Sequence, residues 1–116
     1  MTTSSESPIS DVPELKYDAD GLIPAIVQDD ASNDILMLGY MNAASVQMTL
    51  DKQLVTFWSR SRQEYWTKGE TSGNVLELVS IRKDCDVDAL LVRAVPHGPT
   101  CHTGERSCFY RDLAED

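Results

Sequence analysis

The sequence predicts a small, β-rich α+β domain with one main helix. Three observations support this fold class. The chain has 116 residues, which suits a single domain. Several short runs of aromatic and β-branched residues are separated by turn residues, as strands are. Only residues 42–53 repeat their apolar side chains with the spacing of a helix.

The N-terminal residues differ in composition from the rest of the chain. Residues 1–20 are rich in Ser, Thr, Pro and Asp, and we expect a flexible arm that a partner subunit orders. They contain neither a basic stretch nor an apolar run, so we expect no secretory signal here. Residues 21–116 are then predicted to form the domain.

The first half of this domain predicts a hairpin followed by the helix. Residues 22–41 contain two apolar runs around the polar turn QDDASND, which is typical of a β-hairpin. Asn42 is placed to cap the helix. Ala43, Val46 and Leu50 recur at helical spacing, and we expect them to face the core.

The second half predicts three strands and two loops. Residues 54–62 (LVTFWSRSR) favour a strand, and residues 65–74 (YWTKGETSGN), with two glycines, favour a loop. Residues 75–82 and 88–95 predict two further strands. The cysteine-containing segment 98–112 completes the domain.

Charge and composition exclude several classes of function. The net charge of −9 argues against a nucleic-acid polymer as partner, because such binding depends on Lys and Arg neutralising phosphates. A small phosphorylated ligand needs only a local positive pocket and stays possible. No apolar run approaches the length of a membrane span. Three cysteines cannot all pair within the chain, so we expect a cytoplasmic protein with reduced thiols.

The stretch DCDVD concentrates three carboxylates. If the backbone is extended, Asp84, Asp86 and Asp88 share one face while Cys85 and Val87 share the other. Adjacent carboxylates repel unless a cation or water intervenes, and such hard oxygen ligands suit Mg²⁺ or Ca²⁺. The alternative is a solvated acidic strand edge. An EF-hand is excluded because its sixth and twelfth positions are not Gly and Glu here.

The three cysteines indicate zinc. Cys101 and Cys108 are separated by six residues, and together with Cys85 they offer three thiolates. Catalytic zinc commonly keeps three protein ligands and a water, whereas structural zinc has four protein ligands. A closed structural site using His97 or His102 is the alternative. Because His102 directly follows Cys101, we expect it to transfer protons rather than bind the metal.

Positive charge and hydroxyl groups concentrate in FWSRSRQEYWTKGETSGN. Arginine forks, hydroxyls and glycine backbone N–H groups are the usual means of holding phosphate, and aromatic rings can stack on a base. We expect Arg60 and Arg62 to share one face of a strand, with Lys68 in the loop beyond. The candidate substrate-binding residues are Trp58, Ser59, Arg60, Arg62, Lys68, Thr71 and Ser72.

These motifs together resemble one enzyme family. FWSRSRQEYWTKGETSGN, IRKDCDVDALL and GPTCHTGERSCFY, in this order and spacing, are similar to phosphoribosyl-AMP cyclohydrolases over residues 22–111. Some members are fused to a phosphoribosyl-ATP pyrophosphatase domain. The chain ends soon after CFYRD, and we therefore expect the stand-alone form.

The resemblance implies an activity, two cofactors and an assembly. The family hydrolyses the N1–C6 bond of the adenine ring in N1-(5-phosphoribosyl)-AMP, the third step of L-histidine biosynthesis. It implies an intertwined homodimer with active sites at the interface and one zinc per subunit. The implied zinc ligands are Cys101 and Cys108 of one chain with Cys85 of the other, and Mg²⁺ would bind Asp84, Asp86 and Asp88. His102 is the expected catalytic residue.

Two positions depart from the family pattern. Members often carry His after TSG, where this chain has Asn74, so a proton-transfer role for that position is absent here. Many members have Gly within DCDxD, where this chain has Val87. A β-branched residue disfavours positive φ, so we expect the extended geometry at DCDVD.

Two other functions fit the sequence less well. A cytidine-deaminase-like zinc enzyme would need H-x-E and P-C-x-x-C motifs, and both are missing. A zinc-stabilised interaction module accounts for the cysteines, but not for DxDxD or the basic loop. Zinc held within one chain would favour the module, and zinc completed by a dimer would favour the enzyme.

Overall fold

The computed structural model describes residues 15–114. Within them the chain forms six strands and one helix, in agreement with a β-rich α+β domain. In chain order these are β1 (Ile23–Asp29), β2 (Ile35–Met41), α1 (Ala43–Lys52), β3 (Thr56–Ser59), β4 (Glu64–Thr67), β5 (Leu76–Lys83) and β6 (Leu90–Pro96). The helix is short, and no helix in the described part is long and apolar enough to cross a membrane.

A four-stranded sheet with the order β2-β1-β6-β5 is the centre of the fold. The outer pair β1–β2 is an antiparallel hairpin, as predicted, and the two strands predicted further along, β5 and β6, also pair antiparallel. The central pair β1–β6 is parallel, with Ala25 opposite Leu90. This pairing brings the segment that follows β6, which contains Cys101 and Cys108, to the turn between β1 and β2.

The core lies on one face of this sheet and under the helix. Residues of β1 alternate between buried and partly buried positions, as expected for a strand with one face in the core. Asn42 caps α1 as predicted: its side chain accepts from the backbone of Ser45, whose hydroxyl accepts from the backbone of Asn42. The prediction for the helix face was wrong at Ala43, which is exposed.

Two small polar residues take the place expected for Ala43. Ser45 and Thr49 are buried beside Val46, and Leu50 packs against the core only in part. The Thr49 hydroxyl donates to the carbonyl of Ser45 (2.9 Å) and accepts from the backbone of Thr56 (2.9 Å). These bonds satisfy the buried polar groups, and a pattern of apolar residues alone cannot reveal them.

β3 and β4 form a separate two-stranded hairpin. The prediction of a loop from residue 65 onward was wrong, because Tyr65–Thr67 belongs to β4. Phe57 lies opposite Trp66, and Trp58 lies opposite Tyr65, with ring centroids 5.4 and 4.8 Å apart. Aromatic cross-strand pairs of this kind stabilise a hairpin.

The turn of this hairpin holds the two arginines. Residues 60–63 form the turn, so the prediction that Arg60 and Arg62 share a strand face was wrong. The Ser59 hydroxyl accepts from the backbone of Arg62 (3.2 Å), which favours a turn over a continued strand. Arg60 lies over the ring of Tyr40 at 3.9 Å.

The DCDVD stretch is the turn between β5 and β6, and its predicted extended geometry was wrong. Val87 has a φ of 56°, in the left-handed region. A carboxylate oxygen of Asp84 accepts from the backbone N–H groups of Asp88 (3.0 Å) and Ala89 (3.3 Å). Such aspartate-to-backbone bonds stabilise turns and outweigh the preference of a β-branched residue for extended backbone.

The described part of the N-terminal segment contacts this turn. Leu15 and Tyr17 pack against the core in part, and the backbone N–H of Lys16 donates to the carbonyl of Val87 at 2.7 Å. Residues 1–14 of the predicted arm lie outside the described residues.

Candidate active site

A cleft of about 550 Å³ lies between two loops. One wall is β4 with the loop that follows it, and the other is the loop after β6. Cys101 and His102 line the second wall. Of the predicted substrate-binding residues, the following line this cleft: Arg62, Lys68, Thr71 and Ser72. The structure therefore places the predicted basic and hydroxyl groups opposite the predicted metal-binding and proton-transfer residues.

The other predicted substrate-binding residues lie elsewhere. Trp58 and Arg60 line a second pocket of about 450 Å³, together with Asn42. The hydroxyl of Ser59 is engaged in the hairpin turn described above. The two arginines are thus divided between two pockets, because they lie in a turn and not on one strand face.

The loop that carries Cys101 is closed on itself. The backbone N–H groups of Thr100 and Cys101 donate to the carbonyls of Arg106 (3.2 Å) and Glu105 (3.0 Å). Gly104 supplies the tight return with a φ of 93°. These bonds bring the chain back toward Cys108 soon after Cys101.

Cys101 and Cys108 lie close enough for each to shift the pKa of the other. Hydrogen bonds from Thr103 lower the pKa of Cys101, and Cys108 and the charge of Lys68 act in the same direction. The hydroxyl of Thr103 donates to the Cys101 sulfur at 3.0 Å. Burial raises the pKa of Cys108, and the hydrogen bond and charge of Cys101 raise it further.

This pair suits zinc. Two adjacent sulfur donors, one of them favoured as a thiolate, are the ligands that zinc prefers. Cys101 is buried and Cys108 is exposed, so the pair reaches the surface of the chain. The donor chemistry therefore fits a zinc ion that is completed from outside this loop.

Cys85 and the aspartates lie on the β5–β6 turn. Within residues 15–114 of one chain, no group of three or more His, Cys, Asp or Glu side chains is arranged to hold a metal ion. The exposed Cys85 is therefore not grouped with Cys101 and Cys108 in a single chain. A hydrogen bond with Asp84, and the charges of Asp84 and Asp86, raise the pKa of Asp88. Desolvation acts to raise the pKa of Asp84, but hydrogen bonds from its own turn outweigh desolvation, and that pKa is lowered instead. The crowding of carboxylates is therefore seen at Asp88, and a hard cation would relieve it.

The two histidines lie in different surroundings. His102 is exposed and lines the cleft beside Cys101. His97 is also exposed, but its Nε2 lies 2.9 Å from a carboxylate oxygen of Glu77. Of the two histidines, therefore, only His102 lines the cleft.

Asn74 joins the two walls of the cleft. Its side chain occupies the space beside Gly98, where a Cβ would lie 2.2 Å from the Asn74 Oδ1. Its backbone lies against Gly69, where a Cβ would lie 2.3 Å from the Asn74 carbonyl carbon. Asn74 also lines the cleft, so the residue that replaces the family's frequent histidine here packs between both loops.

Gly69→Ala is expected to destabilise the protein more than Gly73→Ala. Both glycines have positive φ (79° and 87°), so both substitutions carry the left-handed backbone penalty of about 1–2 kcal/mol. Only the Gly69 Cβ would also displace backbone, which adds about 1–3 kcal/mol. Urea denaturation of both variants measures the difference, and equal free energies of unfolding would contradict this account of the loop.

Sequence reasoning missed two residues of the cysteine loop. The Thr103 hydroxyl donates to the Cys101 sulfur. This bond could have been predicted from the sequence, because a hydroxyl side chain two residues after a cysteine can reach its sulfur. Arg106 lies between the two cysteines and contacts the β1–β2 turn. Arg106 is visible in the sequence GERS, but the residues next to it in sequence do not indicate that it contacts Asp29 and Asp34.

Comparison with known proteins identifies the family. The family model described as phosphoribosyl-AMP cyclohydrolase matches residues 37–110. A phosphoribosyl-AMP cyclohydrolase of Paracoccus denitrificans is 56% identical over 105 residues, covering 90% of this chain and 87% of that protein. One of Ruegeria pomeroyi is 58% identical over 101 residues, covering 87% and 85%.

A longer relative matches over a smaller share of its length. The histidine biosynthesis bifunctional protein HisIE of Photobacterium profundum is 59% identical over 93 residues, which cover 80% of this chain but 45% of that protein. The match to the single-function relatives extends over most of both chains. With the cleft, the cysteine loop and these similarities together, the chain belongs to the phosphoribosyl-AMP cyclohydrolase family of hydrolases.

Proposed function

We propose that this chain catalyses the zinc-dependent hydrolytic opening of the adenine ring of N1-(5-phosphoribosyl)-AMP, the third step of L-histidine biosynthesis. The observation that carries the proposal is the cleft itself. In a chain of this family, Cys101 and His102 lie opposite Lys68, Thr71 and Ser72 across one space. A phosphorylated purine nucleotide needs this combination of anion-binding groups and hydrolytic groups.

The anion-binding side of the cleft holds the substrate. Lys68 and Arg62 supply positive charge in a protein of net charge −9, and the hydroxyls of Thr71 and Ser72 supply donors to phosphate oxygens. Trp66 lines the same cleft, with the Lys68 ammonium 5.6 Å from its ring centroid. Its indole offers a surface for the heterocycle beside the phosphate-binding groups.

The reaction breaks the bond between N1 and C6. The oxygen of water ends on C6, which becomes the carbon of the carboxamide. One proton of the water ends on N1, which stays in the formamidine link, and the other ends on the exocyclic nitrogen of C6, which becomes the amide nitrogen. Zinc bound by Cys101, Cys108 and a second subunit's Cys85 would supply Lewis acidity, which lets water react at neutral pH. In this proposal His102, which lines the cleft, takes a proton from water and delivers it to N1.

His102→Ala is expected to lower kcat by about 100-fold or more, because proton transfer by a placed side chain contributes about 10²–10⁴ to the rate. His97→Ala is the matched control, since His97 is also exposed but lies beside Glu77 and does not line the cleft. Steady-state kinetics of both variants make the comparison. An equal loss in both, or none in His102→Ala, would remove His102 from the mechanism.

The assembly and the second cation belong to the proposal as well. We infer a homodimer, because Cys85 does not join the other two cysteines within one chain. We also infer that Asp84, Asp86 and Asp88 contribute ligands to an Mg²⁺ site, because the charges of Asp84 and Asp86 bear on Asp88 and hard oxygen donors suit that cation. Among the described residues of one chain these three carboxylates do not form a metal-binding group by themselves, so the substrate or water would complete the site.

A spectrophotometric assay with N1-(5-phosphoribosyl)-AMP tests the function, since opening the ring changes the ultraviolet absorbance. Activity should disappear after a zinc chelator and return when zinc is added in the presence of Mg²⁺. The absence of turnover with both metals present would overturn the proposal. Turnover that survives complete zinc removal would overturn the proposed role of zinc, while the assignment of N1-(5-phosphoribosyl)-AMP as substrate would stand.

A further inference from the structure

The guanidinium of Arg106 contacts three residues around the β1–β2 turn. Its Nη2 donates to Asp29 Oδ2 (2.6 Å) and to the Ser32 hydroxyl (2.8 Å), and its Nη1 donates to Asp34 Oδ2 (2.5 Å). Asp29 is 7% exposed, so its carboxylate is buried at the end of β1. Hydrogen bonds from the Ala31 and Ser32 backbone, together with the charge of Arg106, lower the pKa of Asp29. A buried, ionised partner of this kind makes a charge-assisted contact that holds its position.

The backbone around Arg106 contacts both cysteine-bearing parts of the loop. On the side of Cys101, the carbonyl of Arg106 accepts from the backbone of Thr100 (3.2 Å). On the side of Cys108, the Ser107 hydroxyl donates to the carbonyl of Ile35 (2.7 Å), and the backbone N–H of Cys108 donates to the carbonyl of Leu36 (2.7 Å). Residues 100–106, which these backbone bonds close, are called the Cys101 turn here. Arg106 is therefore the last residue of the Cys101 turn and directly precedes the segment that attaches Cys108 to β2.

We propose that Arg106 is a positioning residue for the thiol pair: it fixes the Cys101 turn on the β1–β2 turn and thereby holds Cys101 at a constant separation from Cys108. The inference rests on the proposed zinc site for its consequence, and on the contacts of Arg106, Ser107 and Cys108 with β1, β2 and their turn for the positioning. Without Arg106, Cys108 keeps its backbone bond to Leu36, whereas the Cys101 turn loses its side-chain attachment to the sheet. The two sulfurs would then no longer keep one spacing.

Arg93 provides a matched control on the same turn. Its guanidinium donates to Asp30 Oδ1 (2.9 Å), Gln28 Oε1 (2.8 Å) and Asn33 Oδ1 (2.9 Å), as well as to the carbonyl of Asp30. It is the same residue type with a similar set of contacts, but it reaches the turn from β6 and not from the cysteine loop. A role in fold stability alone predicts equal effects for Arg93 and Arg106.

The experiment compares Arg106→Ala, Arg106→Lys and Arg93→Ala in the full chain with two measurements. In metal-free protein, a bifunctional alkylating reagent that fluoresces only when it bridges two adjacent thiols reports the Cys101–Cys108 spacing, with peptide mapping to identify the bridged pair. In a second measurement, competition with a chromophoric chelator gives the zinc affinity.

We expect Arg106→Ala to slow bridging and to weaken zinc binding by about 10–100-fold, the usual effect of losing a group that orients a metal ligand. Arg106→Lys should restore part of both, and Arg93→Ala should change only the stability.

Each outcome decides a different point. Unchanged bridging in folded Arg106→Ala, or an equal loss in Arg93→Ala, would overturn the positioning role. If wild-type protein binds no zinc, the proposed function fails, while the bridging comparison still tests Arg106. If Arg106→Ala does not fold, Asp34→Asn serves instead, since Asp34 is exposed and only one contact is weakened. A folded Asp34→Asn protein should bridge more slowly, and an unchanged rate there would equally overturn the inference.

Discussion

Serine in place of Cys101 is expected to abolish stoichiometric zinc binding and to lower kcat/KM by about 1000-fold or more, because a catalytic metal supplies several kcal/mol of charge stabilisation in the transition state. Serine has nearly the same size as cysteine, so the buried position stays filled. It lacks the soft sulfur donor, and its hydroxyl does not ionise at neutral pH. Zinc content after dialysis and the ring-opening assay measure the two effects.

The folded state needs a separate check in this variant. Thr103 donates to the sulfur of Cys101, and a serine oxygen can accept the same bond, so the loop should keep its closure. Thermal unfolding monitored by circular dichroism should therefore change little in metal-free protein. Full zinc occupancy in folded Cys101→Ser protein would exclude Cys101 as a ligand.

Mixed dimers of Cys85→Ser and Cys101→Ser chains are expected to recover about half of the wild-type activity per dimer, because one of the two symmetry-related sites is then intact. Each variant alone should be nearly inactive. The reason is that Cys85 lies on the β5–β6 turn and is not grouped with the other two cysteines of its own chain. In the mixed dimer, one site receives its Cys85 from the Cys101→Ser chain and its Cys101 and Cys108 from the other chain.

Co-expression with two different affinity tags and sequential purification isolates the mixed dimers. The control is the pair Cys101→Ser with Cys108→Ser, in which both changes affect the same part of the site. Every site in that dimer lacks one thiol, so no activity should return. Recovery in the control, or none in the Cys85 pair, would contradict a ligand donated across the interface.

Most of the fold was predictable because the sequence shows it locally. The runs of β1, β2, β5 and β6 alternate or are continuously apolar between turn residues, and Asn42 marks the helix start. β4 was missed because glycine and lysine follow it closely, although Tyr65 and Trp66 favour strands. What makes β4 a strand is its pairing with Phe57 and Trp58, which requires the chain to turn at Arg60.

The site was predictable in its chemistry and less so in its geometry. Thiols, a histidine and a basic hydroxyl-rich loop indicated the two walls of the cleft, and Cys101 and Lys68 do line it. The extended geometry at DCDVD was wrong, because alternation ignores a side chain that bonds the backbone of its own turn, as Asp84 does. Arg106 was missed because its carboxylate partners, Asp29 and Asp34, lie more than seventy positions away in sequence.

The parallel pairing of β1 with β6 also affects the order in which parts of the protein fold during synthesis. Each outer hairpin closes a short loop, whereas the Ala25–Leu90 pairing joins segments near opposite ends of the domain, and such non-local contacts form slowly. On the ribosome, β1 and β2 emerge first and expose an unpaired edge of β1 until β6 follows. The thiol loop is made after β6 and docks on a turn that was made much earlier, so Cys101 and Cys108 reach their attachment only after the last strand has left the ribosome.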